Sequence, residues 1–89
     1  MTLRELIKKA EIIPARDFAF GERLALIRHL RGFKSQGEAA EKLGILQSTL
    51  AMYESGSRTP KIDKVMKMAE LYECSVDWLC GFSEEVERR

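Results

Sequence analysis

The sequence holds one histidine, two cysteines and two prolines in 89 residues. His29, Cys74 and Cys80 together cannot build an ordinary four-ligand zinc site, and two cysteines make no disulfide framework. The cysteines read as small buried hydrophobes in a reducing compartment. A cysteine–histidine nucleophile would need a third orienting group and a cleft, and nothing along the chain supplies either. There is no glycine-rich phosphate loop and no paired-carboxylate signature. No catalytic residue, metal ligand or cofactor is therefore expected, and an enzyme is the poorest reading. No run approaches the roughly 20 apolar residues of a membrane span. The first residues, MTLRELIKKAEIIP, break their short apolar runs with acids and carry no small-residue cleavage site, which argues against a signal peptide. A cytoplasmic protein with no membrane partner is expected.

What is present is 45% apolar and 33% charged, the composition of one small, helix-friendly globular domain. A chain of this size buries only roughly 60% of its unfolded surface, too little to wall a deep cleft. The net charge of +1 hides an asymmetry: residues 1–67 carry +5 and residues 68–89 carry −4. One basic end fits a polyanionic partner, although solvated helices scatter charge in the same way.

Almost every segment has helical spacing. Thr2 and Glu5 form a capping box ahead of Leu3, Leu6, Ile7 and Ala10, and Pro14 stops the run. This amphipathic extension, residues 1–19, reads as an arm that docks on the domain or on a partner protein. Its short length and mixed charges speak against a membrane-surface helix. Asp17 is positioned to cap the next helix, whose apolar stripe is Phe20, Leu24, Ile27 and Leu30, with Gly32 at its end. Ser35 and Glu38 form a second capping box, predicting a helix over Gln36–Leu43 that ends at Gly44. Another short helix follows over about Gln47–Glu54 and ends near Gly56. Thr59-Pro60 signals a fourth helix marked by Ile62, Val65, Met66, Ala69 and Tyr72. Ser75 caps a last short helix with Val76, Trp78 and Leu79, closed by Gly81. The polar tail, residues 83–89, is expected to fray. No segment alternates with period two for long enough to propose a strand.

The informative block is QGEAAEKLGILQSTLAMYES, Gln36 to Ser55. Two helices of about two turns are joined by a turn containing Gly44. Ala40 lets the second helix cross close over the first, and Leu43, Ile45, Leu50 and Tyr53 fall where a shared core would lie, with Ala39 beside them. This is a helix-turn-helix pattern. The surrounding pieces FGERLALIRHLRG, SQGEAAEKLGI, STLAMYESGSRTP and MAELYECSVDWLCG, in that order, resemble the lambda-repressor-like, or XRE-type, DNA-binding domain of phage repressors, Cro proteins and bacterial regulators. The resemblance runs from Phe20 to Phe82, about seventy per cent of the chain.

The resemblance implies an all-α domain of five helices over residues 20–82, with the third helix laid in the major groove of double-stranded DNA, often as a homodimer. It implies that Gln47, Ser48 and Met52 occupy base-contact positions. Their chemistry agrees: a glutamine amide suits adenine N6 and N7, Ser48 can donate or accept, and Met52 can pack on a thymine methyl. Gln36, at a helix start, matches a position that sets an amide against the DNA backbone. Ser55, Ser57, Arg58 and Lys61 match a phosphate-contacting loop, and such contacts position the domain without reading sequence. Arg28 and Glu54 match a structural ion pair between the first and third helices. Trp78, Leu79 and Phe82 are large apolar side chains beyond what one small core is expected to cover, and a two-fold dimer interface is expected to use them, with Leu3 to Ile13 as the alternative contact. Three positions depart from the usual pattern. Leu46 replaces a Ser or Thr cap, Glu73 stands where glycine often ends the fourth helix, and the Gly32–Ser35 turn has an extra residue.

The function implied is a sequence-specific DNA-binding transcriptional regulator, a repressor that covers a palindromic operator. The alternatives are the antitoxin of a toxin–antitoxin pair, a restriction–modification controller, and a protein-interaction module with a vestigial DNA face. The last is kept open by a reading helix without Arg or Lys.

Overall fold

The computed structural model describes residues 18–83 and residue 86. Among them are five helices and no strand: α1 (Phe20–Leu30), α2 (Gln36–Leu43), α3 (Gln47–Ser55), α4 (Ile62–Leu71) and α5 (Val76–Cys80). The all-α, five-helix lambda-repressor-like architecture is the one observed. The expected N-terminal helix and the Leu3–Ile13 contact lie outside the described residues.

Local chemistry sets most of the boundaries. The Ser35 hydroxyl accepts the Glu38 N–H at the start of α2, and the Ser75 hydroxyl accepts the Trp78 N–H at the start of α5. Asp17, expected to cap α1, lies outside the described residues. The N-cap is Ala19, whose N–H is held by the Glu22 carboxylate at 3.1 Å. Pro60 lies just before α4, and Lys61 rather than Thr59 is its N-cap.

The turn between α2 and α3 closes in two bonds: Gly44 N–H to Glu41 C=O and Ile45 N–H to Ala40 C=O. Gly44 sits at φ 70°, where a side chain would be strained. The same pair of bonds ends α4, from Glu73 and Cys74 to Glu70 and Ala69, but here Glu73 holds the left-handed conformation at φ 51°. Arg31 reaches over from α1 to donate to the carbonyls of Tyr72 (2.7 Å) and Glu73 (3.0 Å), tying down the strained turn.

α1 packs on α3 and α5, α2 on α3 and α4, and α4 on α5. Leu24, Ile27, Leu50, Met68, Tyr72, Cys74 and Leu79 are fully buried between them. Leu30, Ile62 and Met66, expected on apolar stripes, are instead exposed. Leu30 lies at the end of α1, and Ile62 and Met66 share the outer side of α4, one turn apart. Trp78 and Leu79 correct a second expectation. Both are packed in the domain's own core, so neither is available to a partner subunit, and of the three assigned to an interface only Phe82 faces out, at 86% exposed. At residue 86 the chain returns to the domain, where the Val86 carbonyl accepts the Ser75 N–H at 2.8 Å; the rest of the tail beyond Ser83 lies outside the described residues.

Gly21 has a role that the sequence did not signal. A Cβ built on it would lie 2.8 Å from the Tyr53 carbonyl oxygen and closer still to that of Glu54. α1 therefore crosses the end of α3 backbone against backbone, and this contact brings Arg28 beside Glu54.

Candidate nucleic-acid interface

α3 has one buried side and one open side. Leu50 and Tyr53 anchor it in the core. Gln47 and Ser48 are exposed, and Ala51 and Met52 are half-buried on the flank between. The helix starts at Leu46, which is 71% exposed and provides no side-chain cap. Its first N–H groups are left for solvent or an anion. No charged side chain precedes Glu54 on this helix.

Beneath the open side runs a chain of polar side chains. Arg28 grips Glu54 with two bonds, Nε to Oε2 at 2.7 Å and Nη2 to Oε1 at 3.2 Å. The side chains of the pair are only 6% and 7% exposed, so this is a buried fork rather than two solvated charges. Arg28 also donates to the Phe33 carbonyl at 2.6 Å, which fixes the longer turn after α1. Its Nη2 lies 3.2 Å from His29 Nε2. A guanidinium only donates, so Nε2 must carry the lone pair and Nδ1 the proton. Burial and the Arg28 charge hold the His29 pKa below its ordinary value, with Glu54 pulling weakly the other way.

Two glutamines extend this chain to the surface. Gln36 Nε2 donates to Glu54 Oε1 at 3.1 Å, and Gln47 Nε2 donates to Gln36 Oε1 at 3.3 Å. Gln36 and Gln47, expected to have separate tasks, are in contact in the structure. No spacing rule signals this, because the two positions come from different helices.

The loop after α3 is closed on itself. The Ser55 and Ser57 hydroxyls both reach the Met52 carbonyl, at 3.1 and 3.4 Å, and lie 3.0 Å from each other. The Arg58 N–H shares that carbonyl at 3.2 Å. The hydroxyls thus shape the loop, while the side chains of Arg58 and Lys61 are exposed and in no ion pair among the described residues. The loop is a built platform that presents cations beside the open side of α3.

Among the described residues no cluster of His, Cys, Asp and Glu could hold a metal ion. None of their helices is long and apolar enough to cross a membrane.

A helix-turn-helix family model matches residues 34–79, which covers α2, α3, the platform, α4 and most of α5. The chain is 39% identical over 71 residues to the HTH-type transcriptional regulator ImmR of Bacillus subtilis, covering 80% of this chain and 54% of that one. It is 38% identical over 48 residues to the cryptic phage CTXphi transcriptional repressor RstR of Vibrio cholerae, covering 54% and 43%. It is 37% identical over 60 residues to the HTH-type transcriptional regulator AnsR of Bacillus subtilis, covering 67% and 51%. The chain spans about half the length of these relatives. No solved structure matches it significantly.

Proposed function

The chain belongs to the helix-turn-helix family, and on that premise we propose that it is a sequence-specific DNA-binding regulator, a repressor that covers a palindromic operator as a homodimer. The observation that carries this reading is the open side of α3. It presents short uncharged side chains, led by Gln47, next to a rigid loop bearing Arg58 and Lys61. Groove reading needs the first, and backbone positioning needs the second. The names of the relatives, regulators and a phage repressor, support the direction of control.

In this reading Gln47, Ser48 and Met52 meet base edges, and Arg58, Lys61 and the start of α2 at Gln36 meet phosphates. Ser55 and Ser57 act by holding the loop. Phe82 is the exposed apolar residue left to serve a two-fold contact after Trp78 and Leu79 are assigned to the core. Half-site centres should then lie about 34 Å apart on one side of the duplex.

The test is binding to fragments of the DNA upstream of the protein's own coding region, by fluorescence anisotropy over a salt series. Gln47→Ala should cost about 1–3 kcal/mol on the operator and relax one base pair in each half-site. Random DNA should bind as before. Unchanged affinity and unchanged base preference would remove Gln47 as a reader.

A further inference from the structure

We propose that Glu54 is a specificity-determining positioning residue: it sets which end of the Gln47 amide meets the base, and so selects adenine over guanine. The inference rests on the reading of Gln47 as a base reader and goes beyond it.

An amide is nearly symmetric in shape, with its C=O accepting and its NH2 donating. A glutamine on an open helix face can turn either end to a neighbour. Glu54 removes that freedom. Its carboxylate is held by Arg28 in a buried fork and can only accept. Gln36 must therefore offer Glu54 its NH2, as it does at 3.1 Å. That leaves the Gln36 oxygen facing Gln47, so Gln47 must offer its NH2 in turn, as it does at 3.3 Å. One N–H of Gln47 is then spent on Gln36, and the other stays free beside the Gln47 oxygen. A donor and an acceptor side by side match adenine, with its N7 acceptor and N6 amino donor. The charge of Arg28, three side chains back from Gln47, has been converted into a base preference at the surface.

Replacing Glu54 by Gln reverses the chain. Arg28 donates to both oxygens and cannot accept, so the new NH2 must oppose one of its donors; it takes the Oε1 place, where the Arg28 Nη2 contact is the longer at 3.2 Å, and leaves the oxygen to the 2.7 Å bond from Nε. The new NH2 then faces Gln36, whose oxygen turns to receive it. The Gln36 NH2 now faces Gln47, whose oxygen is taken. Both N–H groups of Gln47 are left outward, a pattern that suits the two acceptors of guanine, O6 and N7.

The experiment measures anisotropy-based competition between the operator and variants carrying each base at the contacted position in both half-sites. Glu54→Gln should lose about tenfold of the adenine preference and move toward guanine, with random DNA bound within about twofold of wild type. The double variant Glu54→Gln with Gln36→Glu restores an acceptor-only group next to Gln47, and should bring the adenine preference back even though the added charge near phosphates weakens binding overall. A purely structural role for Glu54 would lower affinity for all four bases equally and would not be rescued by moving the carboxylate to position 36. Either of those results overturns the proposal. Gln47→Ala separates the two readings: if it alters base preference while Glu54→Gln does not, Gln47 reads but Glu54 does not set it.

Circular dichroism melts check that each variant folds. If Glu54→Gln does not, the wild-type protein decides by side-chain amide NMR. Contacts from the Gln36 NH2 protons to Glu54, and from the Gln47 NH2 protons to the Gln36 side chain, with one proton of each pair slowed in exchange, support the fixed polarity. Two freely exchanging amides without those contacts refute it.

Discussion

Two glycines occupy the same place in their helices, the second helical residue: Gly21 in α1 and Gly37 in α2. Local propensity treats them alike, and a Gly→Ala change there gains at most about 1 kcal/mol from the less flexible unfolded chain. Their surroundings differ. A Cβ at Gly37 meets nothing within 4 Å. A Cβ at Gly21 lies 2.8 Å from the Tyr53 carbonyl oxygen, against the 3.4 Å where ordinary contact begins, and nearer still to the Glu54 carbonyl. Both obstacles are backbone and cannot swing aside, so α1 and α3 must part by about 0.6 Å or more. Overpacking of this kind costs about 1–3 kcal/mol. At about 2 kcal/mol, Gly21→Ala should lower the Tm by roughly 8–16 °C for a domain of this size. Gly37→Ala should leave it unchanged or raise it by a few degrees. Far-ultraviolet circular dichroism melts of the two variants side by side make the comparison. Equal shifts would refute the backbone crossing, since only that contact distinguishes the pair. Because Glu54 is the residue displaced, Gly21→Ala should also loosen the Arg28 fork and weaken operator binding more than Gly37→Ala does.

Four further outcomes can be measured. Arg28→Met leaves the Glu54 carboxylate buried without its cation and should destabilise the fold by about 3–5 kcal/mol in urea titrations. Glu73→Gly relieves a side chain held at φ 51° and should stabilise by roughly 1 kcal/mol in the same assay, whereas a loss would mean that the side chain matters more than its backbone strain. Arg58→Ala should weaken operator and random DNA alike and flatten the salt dependence by about one unit, an unchanged slope returning Arg58 to the solvated surface. For His29, folding lowers the pKa of a base, so the unfolded chain binds the extra proton first and stability falls as pH drops through and below the ordinary histidine value. Melts between about pH 7 and about pH 5 should show a steeper loss for wild type than for His29→Gln, whose oxygen can still accept from Arg28.

The parts legible in the sequence are those encoded within a few residues. Ser35 with Glu38, Ser75 ahead of Trp78, and Gly44 in its turn each satisfy backbone groups next to them, and the structure uses them so. Alternating small and apolar residues at Ala39, Ala40, Leu43, Leu50 and Tyr53 gave the helix pair because their shared burial leaves a period in the chain. That period cannot tell which body covers an apolar residue. Trp78 and Leu79 read equally as core or as interface, and the fold places them in the core. Ile62 and Met66 fit the stripe of α4 by spacing and yet face outward. Backbone and polar contacts between helices left no such period. Gly21 resembles any other glycine, and Arg31 any surface arginine, until α3 and the end of α4 are brought against them. The Arg28–Glu54 pair follows from the family resemblance, whereas its continuation to Gln36 and Gln47 depends on how the folded helices meet.

The two sides of α3 have different fates under mutation. Leu50 and Tyr53 hold the helix in place, and a change there is felt by the whole domain. Ser48 stands in solvent and Met52 on the flank, and among the described residues neither side chain has a hydrogen-bond partner. Substitutions at these two cost little folding free energy, so on the reading proposed above a descendant can try new operators there without passing through an unfolded ancestor. Gln47 is less free, because its amide is the last link of a chain rooted in a buried arginine. On the proposed role of Glu54, retargeting at that position requires coordinated change at Gln36 or Glu54. Divergence of DNA preference among descendants of this sequence should therefore accumulate first at Ser48 and Met52, with position 47 changing late and in company.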